Sequence, residues 1–274
     1  MKLFISADME GSTGIIDPTY CNPGAENYER GRRLMTGDVN AVVEAAVEYG
    51  VTEIIVADSH HKMNNILIEE LHPKATLLCG SPRDYSMMQG LDNTFDAAFF
   101  LGYHTRHGVP GVLSHTMSGV IKNMYLNGQV VGEFGFNAVY AGLTGVPVCL
   151  VSGDDQTALE AKSMIPEIRA AILKTAASRT AARCLPPAQS AAILKAETKK
   201  ALELARTLKP TPATLPIELT IEFAHTGQAE MVAIIPEMEC RTGTTEVSCK
   251  VQDQYEMYKT MRAMINLADT VTFF

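Results

Sequence analysis

Four brief apolar runs, "KLFISA", "TEIIVA", "DAAFFLGY" and "VPVCLVSG", recur through the first two thirds of the chain, and each breaks off at acids or histidines. Runs this short and this apolar read as strands buried on both faces, the pattern a parallel sheet requires. Between the first two, Leu34, Met35, Val39, Val42, Val43, Ala46 and Val47 recur at helical spacing and predict a helix over 27–49 that stops at Gly50. Such alternation confines the chain to an α/β fold, with a largely parallel sheet and helices on both faces in three layers.

The remaining punctuation sets the order of elements. Asn127-Gly128 between apolar flanks predicts a two-residue hairpin turn. "GEFGFNAVYAGLTG" starts a helix, and Asp154 and Asp155 open another that runs to Met164. The segment from Pro186 to Pro210, alanine-rich inside and flanked by prolines, reads as an exposed amphipathic helix. Three prolines in "KPTPATLP" mark a crossover, after which "IELTIEFA" and "TTEVSCKV" are strand candidates. A last helix begins at Asp253 with Glu256 three residues on, the spacing of a capping box. We expect an α/β metal-binding domain over 1–185, with a hairpin insertion near 108–134, and a smaller α+β domain over 186–274 packed with that insertion.

Composition narrows the function classes. The formal net charge of -8 and the lack of any basic run leave nothing to neutralise phosphates, so no nucleic-acid partner is expected. No apolar run reaches the roughly 18 residues of a membrane helix, and the first residues lack the pattern of an export signal, so a cytoplasmic location is expected. Six scattered cysteines, with no C-x-x-C pair, read as free thiols.

Chemistry concentrates at the strand ends. In open α/β sheets, sites form beyond the carboxyl ends of the strands. The first strand ends at Asp8 and Glu10, the second at Asp58, His60 and His61, the third at His104 and His107. Residues 8 and 10 face the same way if the chain stays extended, and two carboxylates side by side repel unless a cation or a proton intervenes. Glu133, between glycines, and His115, in a glycine- and proline-flanked loop, fit the same edge. Carboxylates and imidazoles without thiolates suit zinc, manganese or iron. Asp8, Glu10, His60, His104 and Glu133 suffice for two ions that share a carboxylate. Bland roles fit other residues better: Asp154 and Asp155 as helix caps, Asp58 as a turn cap or a support for a histidine, and His61, His72, His107 and His225 as surface or satisfied histidines. There is no G-x-x-x-x-G-K-[ST] or G-x-G-x-x-G phosphate loop.

Taken together, "SADMEGSTG", "ADSHHKMNN", "GYHTR", "PGVLSHTMSG" and "GEFGFNA" resemble the zinc-dependent D-aminopeptidases of the dipeptide-transport type, peptidase family M55. The resemblance extends through nearly the whole chain, including "IEFAHTGQAE" and "RTGTTEVS". It implies that Asp8 bridges two zinc ions (Zn2+), that Glu10, His60, His104 and Glu133 complete their shells, and that His115 is the catalytic residue. It further implies hydrolysis of small peptides with N-terminal D-residues, such as D-Ala-D-Ala, and assembly into a homodecamer that encloses its sites. The same residues would also serve another two-metal hydrolase, a phosphoesterase or amidase. A phosphoesterase would want positive groups, and near the expected site the sequence offers Lys62 and Arg106. A non-catalytic peptide-binding module is the reading from a different class, which an observation of zinc-dependent turnover would exclude.

Overall fold

The computed structural model describes residues 1–271. The first half contains β1 (Lys2–Ala7), α1 (Tyr28–Tyr49), β2 (Glu53–Asp58), β3 (Ala75–Leu78), β4 (Ala97–Leu101), the hairpin β5 (Ile121–Leu126) and β6 (Gln129–Val131), and α2 (Glu133–Thr144). After these come β7 (Val148–Asp154), α3 (Asp155–Met164), β8 (Arg169–Ser178), β9 (Ala181–Cys184) and α4 (Pro187–Leu204). The chain continues with β10 (Ile217–Phe223), α5 (Thr226–Val232), β11 (Glu239–Cys240), β12 (Glu246–Val251) and α6 (Gln254–Ala268). None of the described helices is long and apolar enough to cross a membrane.

The larger sheet has the order β3-β2-β1-β4-β7-β8-β9. Its strands pair in parallel except for β9, which returns antiparallel to β8. From β1 the chain builds outward through β2 and β3, then crosses back to place β4 on the other side of β1. The join between β1 and β4 is thus a topological switch point, where the connections on either side leave a crevice at the carboxyl ends.

Alternation along the strands covers both faces of this sheet. Leu3, Ile5 and Phe99 share one core with Met35, Val39 and Val42 of α1 and Leu194, Ala201 and Leu202 of α4. Phe4 and Phe100 point the other way, into a core shared with Phe134, Phe136 and Tyr140 of α2 and Met257, Met261 and Met264 of α6. The expected helices on both faces are present.

A second, antiparallel sheet has the order β11-β12-β10-β5-β6. It joins the Asn127-Gly128 hairpin, with Asn127 at φ 49 and Gly128 at φ 76, to the strands after residue 216. Both sides of the expected division at residue 186 contribute to it. Helix α4, just beyond that residue, packs with α1 on the larger sheet.

Caps follow the sequence closely. Asp154 Oδ1 accepts from the Thr157 N–H at 2.7 Å and starts α3. Asp253 Oδ1 accepts from the Glu256 N–H at 2.8 Å and starts α6. The return bond of that cap reaches one residue further than a capping box, since the Glu256 carboxylate accepts from the Gln252 N–H at 2.6 Å.

Candidate metal centre

Two glycines let the ends of β1 and β4 close on one another. A Cβ at Gly11 would lie 1.9 Å from the Tyr103 carbonyl oxygen, and one at Gly102, where φ is +66, would lie 2.1 Å from the Asp8 carbonyl oxygen. With no side chain at either position, the Asp8 N–H donates to the Leu101 carbonyl at 2.8 Å and the Gly11 N–H to the Gly102 carbonyl at 2.7 Å, extending the pairing past the strand ends. Asp8, Glu10 and His104 are thereby held at the switch point, and all three are buried.

The other members arrive from three further segments. His60 sits in the loop after β2, which Asp58 organises by accepting from the N–H groups of Asn65 and Ile66 and from the Asn65 side-chain amide. Asp58 therefore acts as the turn cap that the sequence allowed for. Glu133 is the first residue of α2, where the helix N-terminus favours its negative charge. His115 lies in the loop before β5, between Leu113 at φ 55 and Met117 at φ 57. Non-glycine residues in the left-handed region cost roughly 1–3 kcal/mol each, and they concentrate at functional loops.

All six residues named from the sequence thus meet. His60 Nδ1 lies 3.2 Å from Asp8 Oδ1 and 3.0 Å from Glu10 Oε2. His104 Nε2 lies 3.4 Å from both Asp8 Oδ2 and Glu133 Oε1. His115 stacks on His104 with ring centroids 4.1 Å apart, and its Nε2 is 3.6 Å from Glu133 Oε1.

Each imidazole is aimed by its other nitrogen. His60 Nε2 donates to the Cys21 carbonyl at 2.9 Å, His104 Nδ1 to the Thr105 carbonyl at 2.9 Å, and His115 Nδ1 to the Leu113 carbonyl at 2.9 Å. A carbonyl can only accept, so the proton is fixed on the outer nitrogen and the lone pair of a neutral ring faces the carboxylates. This is how metal-binding histidines are held.

Three buried carboxylates around these rings set strong local fields. Burial and the Glu10 charge push the Asp8 carboxyl up. Burial works in the same direction on Glu10, but the adjacent His60 outweighs it and draws Glu10 well below the usual carboxylate range. Glu133 is also drawn down, by His104 against burial. In the other direction, burial disfavours charge on His60 and His104, yet Glu10 and Glu133 respectively raise them well above an ordinary imidazole.

The donors fit a divalent metal. Glu10 Oε2 and His104 Nε2 are buried without a hydrogen-bond partner, a state that folded proteins seldom leave uncompensated. Ligand atoms of Asp8, Glu10 and His104 lie within 4.8 Å of one another, as do those of His104, His115 and Glu133. A third such group joins Glu10 and His60 to the thiol of Cys21, which sequence reasoning set aside as a free cysteine. Burial, together with the Glu10 and Asp8 charges, raises that thiol's pKa.

The sequence also gave no sign of two groups that brace the loop carrying Glu10. Lys174, in the middle of β8, is 1% exposed and donates to the carbonyls of Glu10, Ser12 and Ile15. Asp38 of α1 accepts from the N–H and Oγ1 of Thr13 at 2.8 and 2.7 Å. A lysine among alanines and an acid on a helix carry no local signal of such contacts.

A cavity of about 500 Å3 opens from the cluster, within the size range of small-ligand sites. Asp8, Glu10, His60, His115 and Glu133 line one part of it, α6 supplies Arg262, and Asp269 follows directly after that helix. Neither Lys62 nor Arg106, the cations expected nearby, is among its lining residues. His107 instead turns to the Lys122 carbonyl and His72 to the Lys74 N–H, while His225 precedes α5, its own N–H donating to the Gln228 side chain at 3.1 Å.

Comparison with known proteins points to one family. Peptidase family M55, described as D-aminopeptidase, matches residues 1–263. The D-aminopeptidase of Bacillus subtilis (strain 168) is 45% identical over 274 residues, covering 100% of both chains. A solved structure, described as the Zn-dependent D-aminopeptidase DppA from Bacillus subtilis, a self-compartmentalizing protease, superposes with a TM-score of 0.98 at 44% identity and covers 100% of each chain.

Proposed function

The chain belongs to the D-aminopeptidases of peptidase family M55, and from that membership we propose that it removes N-terminal D-residues from short peptides such as D-Ala-D-Ala, using two zinc ions per subunit. One observation carries the two-ion reading: the carboxylate of Asp8 turns Oδ1 toward His60 and Oδ2 toward His104. A single side chain thus faces both halves of the cluster. Asp8, Glu10 and His60 would hold one ion, and Asp8, His104 and Glu133 the other. When bound, zinc would supply Lewis acidity, lowering the pKa of a water toward about 7 and polarising a peptide carbonyl.

The residues of the chain do the rest. His115 is the proton carrier: its Nε2 faces the cavity beside Glu133, where an imidazole can both take and give a proton. Protonating the departing amine is its natural task. Glu133 accepts from the Met117 N–H at 2.7 Å, which ties the loop bearing His115 to the cluster. The relative's description as self-compartmentalizing supports assembly of this chain into a closed homo-oligomer, which we take to be a decamer.

The test is hydrolysis of matched D- and L-dipeptides by zinc-loaded and chelator-treated protein. Cleavage of D-Ala-D-Ala by the loaded form only is the expected result. Turnover that survives complete zinc removal, or hydrolysis of a phosphodiester in place of the peptide, contradicts the proposal.

A further inference from the structure

We infer that Arg262 of α6 binds the C-terminal carboxylate of the substrate and thereby tunes the enzyme to very short peptides, an assignment that rests on the aminopeptidase reading above. The cavity beside the cluster is lined by Asp8, Glu10, Glu133 and Asp269, and Arg262 is the only lysine or arginine among its lining residues. An aminopeptidase cuts after the first residue, so the substrate presents its N-terminal end to the cluster. Its scissile carbonyl then lies at the metal ligands. In a dipeptide the terminal carboxylate follows one residue later, roughly 4 Å further along the chain. A fixed positive charge in the same small cavity is what that group requires.

The position of Arg262 is set by contacts, not by chance exposure. Its side chain is half-buried, and Nη1 donates to the Arg83 carbonyl. Arg83 in turn sends its guanidinium back to the Asp58 carbonyl at the end of β2, two residues before His60. Arg262 is thus tied by two links to the strand end that carries a ligand. One of its five N–H donors is used in that tether, and among the described residues no carboxylate lies within 4.0 Å of its guanidinium. Asp269, just past the end of α6, instead accepts from Ser118 at 3.0 Å. A planar guanidinium with spare donors matches a carboxylate in two-point contact, which a lysine cannot reproduce.

The experiment compares D-Ala-D-Ala with its C-terminal amide as substrates for the wild-type protein, Arg262→Lys and Arg262→Met, with zinc content and thermal midpoint measured for each. The wild type should prefer the free acid by about tenfold to a hundredfold in kcat/KM, mainly through KM, as expected for a charge-assisted contact. In Arg262→Met that preference should vanish because the acid is lost as a good substrate while the amide is cleaved much as before. Arg262→Lys should retain part of it. Equal cleavage of acid and amide by the wild type, or an equal loss on both in Arg262→Met, overturns the assignment and leaves the aminopeptidase reading standing. Failure of the zinc-loaded wild type to cleave either compound overturns both.

Discussion

His115 is the imidazole of the cluster that solvent reaches: its side chain is 31% exposed, against 1% for His104 stacked beneath it. Accessibility and a hydrogen-bonded Nδ1 suit a proton carrier, whereas burial between two carboxylates suits a ligand. His115→Ala should therefore lower D-dipeptide turnover by at least about 100-fold and leave zinc content at the wild-type level. Loss of an ion in that variant would move His115 into the ligand set. A second residue links the brace of the cluster to pH. Burial pushes the Asp38 carboxyl up to about 6, against the two Thr13 hydrogen bonds and the charge of Lys174. An acid with a raised pKa binds its proton more tightly in the folded state, so its contribution to stability falls as pH rises from its ordinary 3.8 toward about 6. Asp38→Asn cannot titrate. Its stability relative to wild type should rise across that window, by up to roughly 3 kcal/mol. A difference that stays flat between about pH 4 and 6, read from thermal unfolding, contradicts this. Asp8 and Glu10 were legible in the sequence because two acids at a strand end need a reason. Lys174 and Cys21 were not, since their contacts come from partners 159–164 and 39 residues away respectively.

Among the elements, the close approach of β1 to β4 decides whether a cluster exists at all. Gly11 is the gate, because any Cβ there overlaps the Tyr103 carbonyl. Gly11→Ala should force the two strand ends apart, at a cost of about 1–3 kcal/mol in stability, and weaken zinc binding measured by calorimetry. Unaltered zinc affinity in that variant would show that the approach does not position the ligands. The apolar strands, the long first helix and the caps at Asp154 and Asp253 could be read directly because each is a local pattern. β8 escaped for the opposite reason. Its "RAAILKTAAS" places a lysine inside an alanine run, and only the distant carbonyls of the Glu10 loop make that lysine acceptable in a sheet. The four-residue edge strand β3 likewise offers too short a run to be read from sequence pattern.

For the molecule as a whole, sheet order turns scattered residues into one site. Placing β1 between β2 and β4 brings Asp8, Glu10, His60 and His104 to a single rim, and α2 and the loop before β5 close it with Glu133 and His115. The α/β class and the convergence of strand ends followed from the order of apolar runs. Sharing of the second sheet between the hairpin and the C-terminal strands could not be read locally, because pairing between residues about 100 positions apart leaves no nearby trace. The most direct measurement is an anomalous-difference map from crystals of the zinc-loaded protein, recorded at the zinc absorption edge. Two peaks per subunit are expected, one beside each oxygen of Asp8, the first also touching Glu10 and His60 and the second His104 and Glu133. A single peak, or peaks that do not touch Asp8, would contradict the two-ion account.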